Sequence, residues 1–235
     1  MAPRLEILGV EGLPVIRPGD DLPQLLVDAT RGVLADGDVL VVASKLVAKA
    51  EGKLVAVDPD DPLSHKPLVE AESVRVLRRR GDLIISETRH GFVCANAGID
   101  RSNVDDGWCV LLPDDPDRSA RRIRDAVRFR AGVEVAVVVT DTFGRTWRRG
   151  QTDVALGCAG IGAVLDLRGS TDAYGHELQV TVVAVVDEIA GAAELVMGKA
   201  TGIGAAIVRG VDRSWFREGS VRAELVREPH EDLFR

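Results

Sequence analysis

Short runs rich in Val, Leu and Ile, bounded by Gly, Asp or Pro, recur along the chain: "RLEILGV", "DVLVVAS", "DLIISET", "CVLLP", "VEVAVVVT", "ELQVTVVAVV" and "AAIVRGV". Such runs predict strands. Elsewhere the apolar spacing changes to three and four. "PGDDLPQLLVDATRGVLADGD" predicts a helix capped by Asp21 and stopped at Gly37, while "PLVEAESVRVLRRRGD" and "DEIAGAAELVMGK" predict two more. "RSARRIRDAVRFRAG" (118–132) alternates Arg with Ile123, Ala126, Val127 and Phe129, the pattern of an amphipathic surface helix. The acids and prolines of "DPDDPLSHKP" (58–67) predict a loop or a lobe boundary. The mixture predicts an α/β or α+β fold, with a first lobe, a second beginning near the middle, and closing strands that return to either.

Composition narrows the class. The 235 residues suffice for one large domain or two small ones, and 46 % hydrophobic with 29 % charged residues matches a soluble globular protein. No apolar run approaches the roughly 20 residues of a membrane span. The opening "MAPRLEILGVEGLP" lacks the basic and apolar regions of an export signal, so a cytoplasmic protein is expected. A net charge of −7 argues against a nucleic-acid binder. Cys94, Cys109 and Cys158 have no CxxC spacing and predict buried small side chains. His65, His90, His176 and His230 are scattered, and no metal is assigned to them.

Chemistry concentrates in a few stretches. In "VVVTDTFGRTWRRG" (137–150), a strand buried on both faces is expected to end at Thr140, with Asp141 and Thr142 just past its carboxyl end, where open sheets collect ligands. A carboxylate beside a hydroxyl offers hard oxygens to Mg²⁺ or Mn²⁺, and Arg145, Arg148 and Arg149 suit phosphate or carboxylate oxygens. Equally, Asp141 caps a turn and the arginines are solvated. "CANAGIDRSNVDDG" (94–107) places Asp100 three positions before Asn103, as a ligand-presenting loop or an Asx turn would. If Asp100 and Asp141 met at about 4 Å, they would repel by about 4 kcal/mol at an effective dielectric near 20, and a divalent cation would remove that cost.

In "VVASKLVAKAEGK", a strand ends in Ser44 and Lys45 with Lys49 beyond, which suits a polyanion or an ordinary surface. "LVMGKATGIGAAIVRG" supplies a glycine-containing loop able to wrap phosphates, though it is neither a Walker A motif nor a complete GxGxxG.

Taken in order, "GLPVIRPGDDL", "VVASKLVAK", "NAGIDRSN", "TDTFGRTWRRGQTDVALGCAG" and "DEIAGAAELVMGKATG" resemble the coenzyme F420-0:γ-glutamyl ligases, the CofE family, over nearly the whole chain. The flavour is that of the actinobacterial FbiB type, often fused to a carboxy-terminal nitroreductase-like flavin domain that is absent from residues 1–235. The resemblance implies one family domain of unusual α+β fold, its two lobes intertwined in a homodimer. It implies F420-0, L-glutamate and GTP as substrates, with Mg²⁺ or Mn²⁺ and, as a further candidate, K⁺. Leu13, Pro14, Val15, Ile16, Ser44, Lys45, Lys49 and Asn103 then match nucleotide-contacting positions, as does the loop Met197 to Gly204 with Gly198 and Gly202. Asp100, Asp141 and Thr142 match metal positions.

One position departs: archaeal members carry an acid after the glycine of "LVMG", where this chain has Lys199. Losing a carboxylate weakens the case for a second metal, and Lys199 is expected to contact phosphate instead. The reaction so implied phosphorylates the F420-0 carboxylate with GTP, and the glutamate amine then displaces phosphate. Arg145 and Arg148 would hold a substrate carboxylate or the phosphoryl group, and Asp153 is a candidate base. The rival readings are a metal-dependent phosphohydrolase and a non-catalytic GTP-binding protein.

Overall fold

The computed structural model describes residues 3–232; Met1, Ala2 and the last three residues of the closing "EDLFR" lie outside the described residues. In chain order the first elements are β1 (Glu6–Gly9), α1 (Leu22–Ala29), β2 (Val39–Ala43), α2 (Ser44–Ala50), β3 (Leu54–Ala56) and α3 (Lys66–Ala71). Next come β4 (Ser73–Arg80), β5 (Leu83–Thr88), β6 (Val93–Ala95), β7 (Trp108–Val110), α4 (Pro116–Ala131), β8 (Ala136–Gly144) and β9 (Gln151–Ala159). The last are β10 (Leu165–Asp166), β11 (Val182–Val183), α5 (Val185–Met197), β12 (Ala205–Arg209) and α6 (Val221–Glu224). The fold is mixed α+β.

Its centre is a five-stranded sheet in the order β1-β12-β2-β8-β9. Only β2 and β8 run parallel; the other three pairs are antiparallel. Side-chain alternation divides the valines of these strands between two cores. Val39, Val41 and Val138 join Val186, Ile189, Ala190 and Met197 of α5 on one face. Leu40, Val42, Val137 and Val139 join Leu26 of α1, Val47 of α2 and Ile123 and Val127 of α4 on the other. A strand covered on both sides reads as a continuous apolar run, which is what β2 and β8 show. The smaller sheets, β3-β7, β4-β5-β6 and β10-β11, interrupt this sheet rather than follow it. A third core of Val69, Ile84, Ala97, Ile99 and Cys109 fills the first interruption.

Several expectations hold. Asp21 caps α1 by accepting the Gln24 N–H at 3.1 Å, α4 is the amphipathic helix, α5 coincides with "DEIAGAAELVM", and all three cysteines are buried. Others are corrected. The first helix ends at Ala29, not at Gly37: the Thr30 hydroxyl donates to the Leu26 carbonyl at 2.7 Å, competing with the next turn. "PLVEAESVRVLRRRGD" is a short helix followed by a strand. Arg80 stands opposite Leu83, so Gly81 and Asp82 form a two-residue hairpin turn with Gly81 at φ 57°, a turn signal that outweighs the helical spacing before it. "ELQVTVVAVV" is strand only at Val182–Val183, and Val185 and Val186 already belong to α5, whose first turn is favoured by Asp187 and Glu188. Strand β8 does not stop at Thr140 but runs to Gly144 and turns back into β9, a strand the hydrophobic pattern did not predict.

One buried acid ties the carboxy-terminal segment to the sheet. Asp117, in the first turn of α4, accepts the backbone N–H groups of Cys158 at 2.8 Å and Val221 at 3.0 Å and the Ser220 hydroxyl at 2.7 Å. Removing the acceptor strands these donors. Asp117→Ala is expected to destabilise the protein by about 3 kcal/mol, against about 0.5 kcal/mol for the exposed Asp125→Ala; denaturant unfolding of the two variants checks this.

Candidate functional site

The strand directions assemble the site. Parallel pairing sets Ala43, the last residue of β2, opposite Thr140 of β8, so Ser44 and Lys45 leave the sheet beside Asp141 and Thr142. The antiparallel β12 begins at the same edge: the Ala43 N–H donates to the Gly204 carbonyl at 2.9 Å. Strand β1 also ends there, with Val10 N–H donating to the Ala205 carbonyl at 2.9 Å, which delivers residues 13–16. Asp153 of β9 stands opposite Thr142. A one-residue bulge precedes these pairs: Val139 faces Gly157 but Thr140 faces Ala155, leaving Leu156 extra.

Around this edge lies a cavity of about 1160 Å³. Leu13, Pro14, Val15, Ile16, Lys45, Lys49, Asn103, Asp141, Thr142, Met197, Gly198, Lys199, Gly202 and Gly204 all line it. Gly204 is required by space, because a Cβ there would sit 2.6 Å from Leu46 Cδ1.

Lysines and acids alternate on its walls. Lys45 Nζ donates to Asp100 Oδ2 at 2.9 Å and to the carbonyl and hydroxyl of Ser102 at 2.8 and 2.9 Å. Asp100 also accepts the Ser102 N–H at 2.7 Å, so the Asx turn and the lysine contact coexist. Burial opposes ionisation of Asp100, but Lys45 and Ser102 together hold its carboxyl below the usual range. Lys49 Nζ donates to the Asn103 carbonyl at 2.7 Å, and burial, aided by the Lys45 charge, lowers its pKa.

Burial pushes Asp141 up to about 6, with Asp100 and Asp153 adding repulsion and the Thr142 N–H and the Lys199 charge opposing. Burial likewise raises Glu194 on α5, with Asp153 adding to it and Lys199 opposing. Asp153 is buried and fixed by two hydroxyls, Thr140 Oγ1 at 3.1 Å and Thr142 Oγ1 at 2.5 Å.

Four expected site residues stand apart from the cavity wall. Ser44 is buried at the start of α2, and Asp100 stands behind the wall, bound by Lys45 and with its charge acting on Asp141. Arg145 and Arg148 are exposed in the turn between β8 and β9, where Arg145 Nη2 donates to the Arg149 carbonyl at 2.8 Å. Asp141 is no turn cap, since it pairs with Val154 inside the hairpin. Sequence reasoning gave Asp153 no partner and missed Glu194 and Trp108, all of which line the cavity. A lone acid three residues before Met197, in an otherwise apolar helix end, was the available signal for Glu194.

A family model, F420-0:Gamma-glutamyl ligase, matches residues 12–210. The chain belongs to that family. It is 43 % identical to the coenzyme F420:L-glutamate ligase of Methanothermobacter thermautotrophicus, over 98 % of this chain and 99 % of the relative. The ligase of the same name from Methanopyrus kandleri is also 43 % identical, over 98 % and 99 %, and that from Haloarcula marismortui 42 %, over 98 % and 96 %. A member of this ligase family is an enzyme.

The donor chemistry fits a hard divalent cation: Asp141 and the Thr142 hydroxyl are oxygen donors on the cavity wall, and a cation would relieve the repulsion of Asp141 by Asp100 and Asp153. Among the described residues no three His, Cys, Asp or Glu groups are close enough to enclose a metal by themselves, so water or phosphate oxygens would complete the shell, as Mg²⁺ commonly requires.

With metal chelated, the raised Asp141 pKa has a definite sign. The unfolded carboxyl ionises near 3.8 and the folded one near 6, so the stability from the neutral form is full below about pH 4 and lost as pH rises through 6. Asp141→Asn keeps the neutral shape. It is expected to raise the unfolding free energy at pH 7.5 by on the order of 2 kcal/mol and to change little at pH 4. Denaturant unfolding at the two pH values checks this, and added Mn²⁺ should narrow the difference by stabilising the wild type alone.

Proposed function

We propose that this chain is a GTP- and divalent-metal-dependent ligase that joins L-glutamate to coenzyme F420-0 and extends the tail by further γ-linked glutamates. Family membership supplies the reaction class. The observation that carries the reading is one cavity in which Lys45, Lys49 and Lys199 face Asp141, Asp153 and Glu194, drawn from separate segments to a single sheet edge. Cations there suit a triphosphate, and the acids suit the metal that accompanies it.

Carboxylate oxygen is a poor leaving group, so amide formation needs activation. Transfer of the GTP γ-phosphoryl group to the F420-0 carboxylate gives an acyl phosphate and GDP. The glutamate amine then attacks the acyl carbon, the C–O bond to phosphate breaks, and the amine loses its proton. Catalysis of this kind is positioning and charge neutralisation. Lys45, Lys49 and Lys199 offset charge on phosphate oxygens, and the backbone of residues 197–204 and 13–16 shapes the nucleotide's bed. A Mg²⁺ or Mn²⁺ ion held by Asp141 and Thr142, with Asp100 as a further ligand, would supply Lewis-acid polarisation of phosphate. Asp153 positions the Thr140 and Thr142 hydroxyls, a role distinct from that of a base.

The exposed Arg145 and Arg148 belong to this reading as holders of a substrate carboxylate. The reading also includes a cytoplasmic homodimer, to whose interface the exposed Trp147 and Tyr174 are available.

Mass spectrometry of F420-0 incubated with the protein, GTP, Mn²⁺ and L-glutamate is expected to show products heavier by one or more glutamyl units, with GDP, only when all components are present. GDP without glutamylation would instead indicate a phosphohydrolase. The Lys199 charge already acts on Asp141, as a second cation would. Titration of Mn²⁺ in the presence of GTP should therefore find one tightly bound ion per subunit, and two tight ions would refute this role for Lys199.

A further inference from the structure

Strand β9 closes one edge of the central sheet, with β8 as its neighbour. At the bulge it carries a residue that β8 does not match: Val139 faces Gly157 and Thr140 faces Ala155, so Leu156 has no counterpart. A bulge leaves its strand with one more backbone N–H than the ladder can accept. Helix α5 supplies the missing acceptor. The Asp187 carboxylate accepts the Ala155 N–H at 2.8 Å, and among the described residues this is its one hydrogen bond.

Asp187 lies in the first turn of α5, where its charge suits the helix dipole, but its hydrogen bond leaves the helix. Burial opposes its ionisation and the Ala155 N–H favours it, so the contact offsets the cost of an acid at this position. One turn on, a Cβ at Gly191 would lie 3.4 Å from Thr152 Oγ1 and 3.8 Å from the Asp153 carbonyl oxygen. The helix therefore keeps contact distance along the same stretch of β9.

The bulge decides which side chains share a face. In the present register Asp153 stands opposite Thr142, and its carboxylate accepts the hydroxyls of Thr140 and Thr142. Without the bulge Thr142 would face Val154, and the Asp153 side chain would turn to the other side of the sheet, away from both threonines. We propose that Asp187 is a positioning residue for the ligase reaction: by taking the donor that the bulge leaves over, it selects the register in which Asp153 orients Thr142 beside Asp141. Asp187 itself does not line the cavity. The proposal rests on the reading of that cavity as the place of reaction.

NOEs between the backbone protons of β8 and β9 read the register directly, and steady-state glutamylation of F420-0 reads its consequence. In the wild type Thr142 should show NOEs to Asp153. Asp187→Ala should move them to Val154 and lower kcat about tenfold, with KM for L-glutamate within about twofold. Asp187→Leu, which keeps the bulk without an acceptor, should do the same and serves if the alanine variant does not fold. Asp187→Asn, whose amide oxygen still accepts an N–H, should keep both the NOEs and kcat. Glu188→Ala removes an exposed charge from the same helical turn and should match the wild type. An Asp187→Ala or Asp187→Leu protein that retains the Asp153 NOEs or the wild-type kcat would overturn the proposal. So would an Asp187→Asn protein that behaves like Asp187→Ala, or a Glu188→Ala protein that falls as far. A wild type that adds no glutamate to F420-0 would overturn the ligase reading instead, and the NOEs would still decide whether Asp187 sets the register.

Discussion

The parallel pairing of β2 with β8 is the constraint on which the rest depends. Parallel neighbours end at the same edge of a sheet, so whatever follows β2 must meet whatever follows the core of β8. Here that brings the lysines of α2 to the acids of the hairpin. The antiparallel neighbours then add their own contributions, β12 with its preceding glycine loop and β1 with the segment that follows it. The valines that fill both faces fix the register, and through it the distance between charges some 100 residues apart in sequence.

At that edge, burial and charge oppose one another. The acids pay desolvation that raises Asp141 and Glu194, while Lys45 and Lys49 are occupied by carboxylate and carbonyl oxygens of the chain itself. Lys45 in particular holds both Asp100 and Ser102, which orders the loop that reaches on to Trp108. An anionic group placed here would meet cations already oriented by these contacts, and the orientation is part of what the fold supplies.

Much of this was legible in the chain. The buried strands β2, β8 and β12 announced themselves as apolar runs, and the residues just after them were the ones to watch. Family motifs in fixed order located most of the cavity wall. What escaped reading were features set by pairing across the sequence. Strand β9 begins with Gln151, Thr152 and Asp153, too polar to look like a strand until the hairpin with β8 is seen. Glu194 faces the cavity because α5 packs Ile189, Ala190 and Met197 on the sheet, a direction that the local sequence marks only by one acid in an apolar helix end. The arginines after Gly144 drew attention by composition, yet the four further strand residues beyond Thr140, Asp141 to Gly144, carry them away from the cavity wall.

The bulge at Leu156 separates two tasks within one hairpin. On its inner side the ladder answers to core volume, with Val137, Val138 and Val139 set among neighbours that accept no change of phase. On its outer side it answers to the hydroxyl contacts of Thr140 and Thr142 with Asp153. The surplus residue takes up the mismatch between these two registers. Packing and ligand chemistry thus sit on one continuous strand pair as separately adjustable modules, like two gears joined by a coupling that lets each keep its own tooth count.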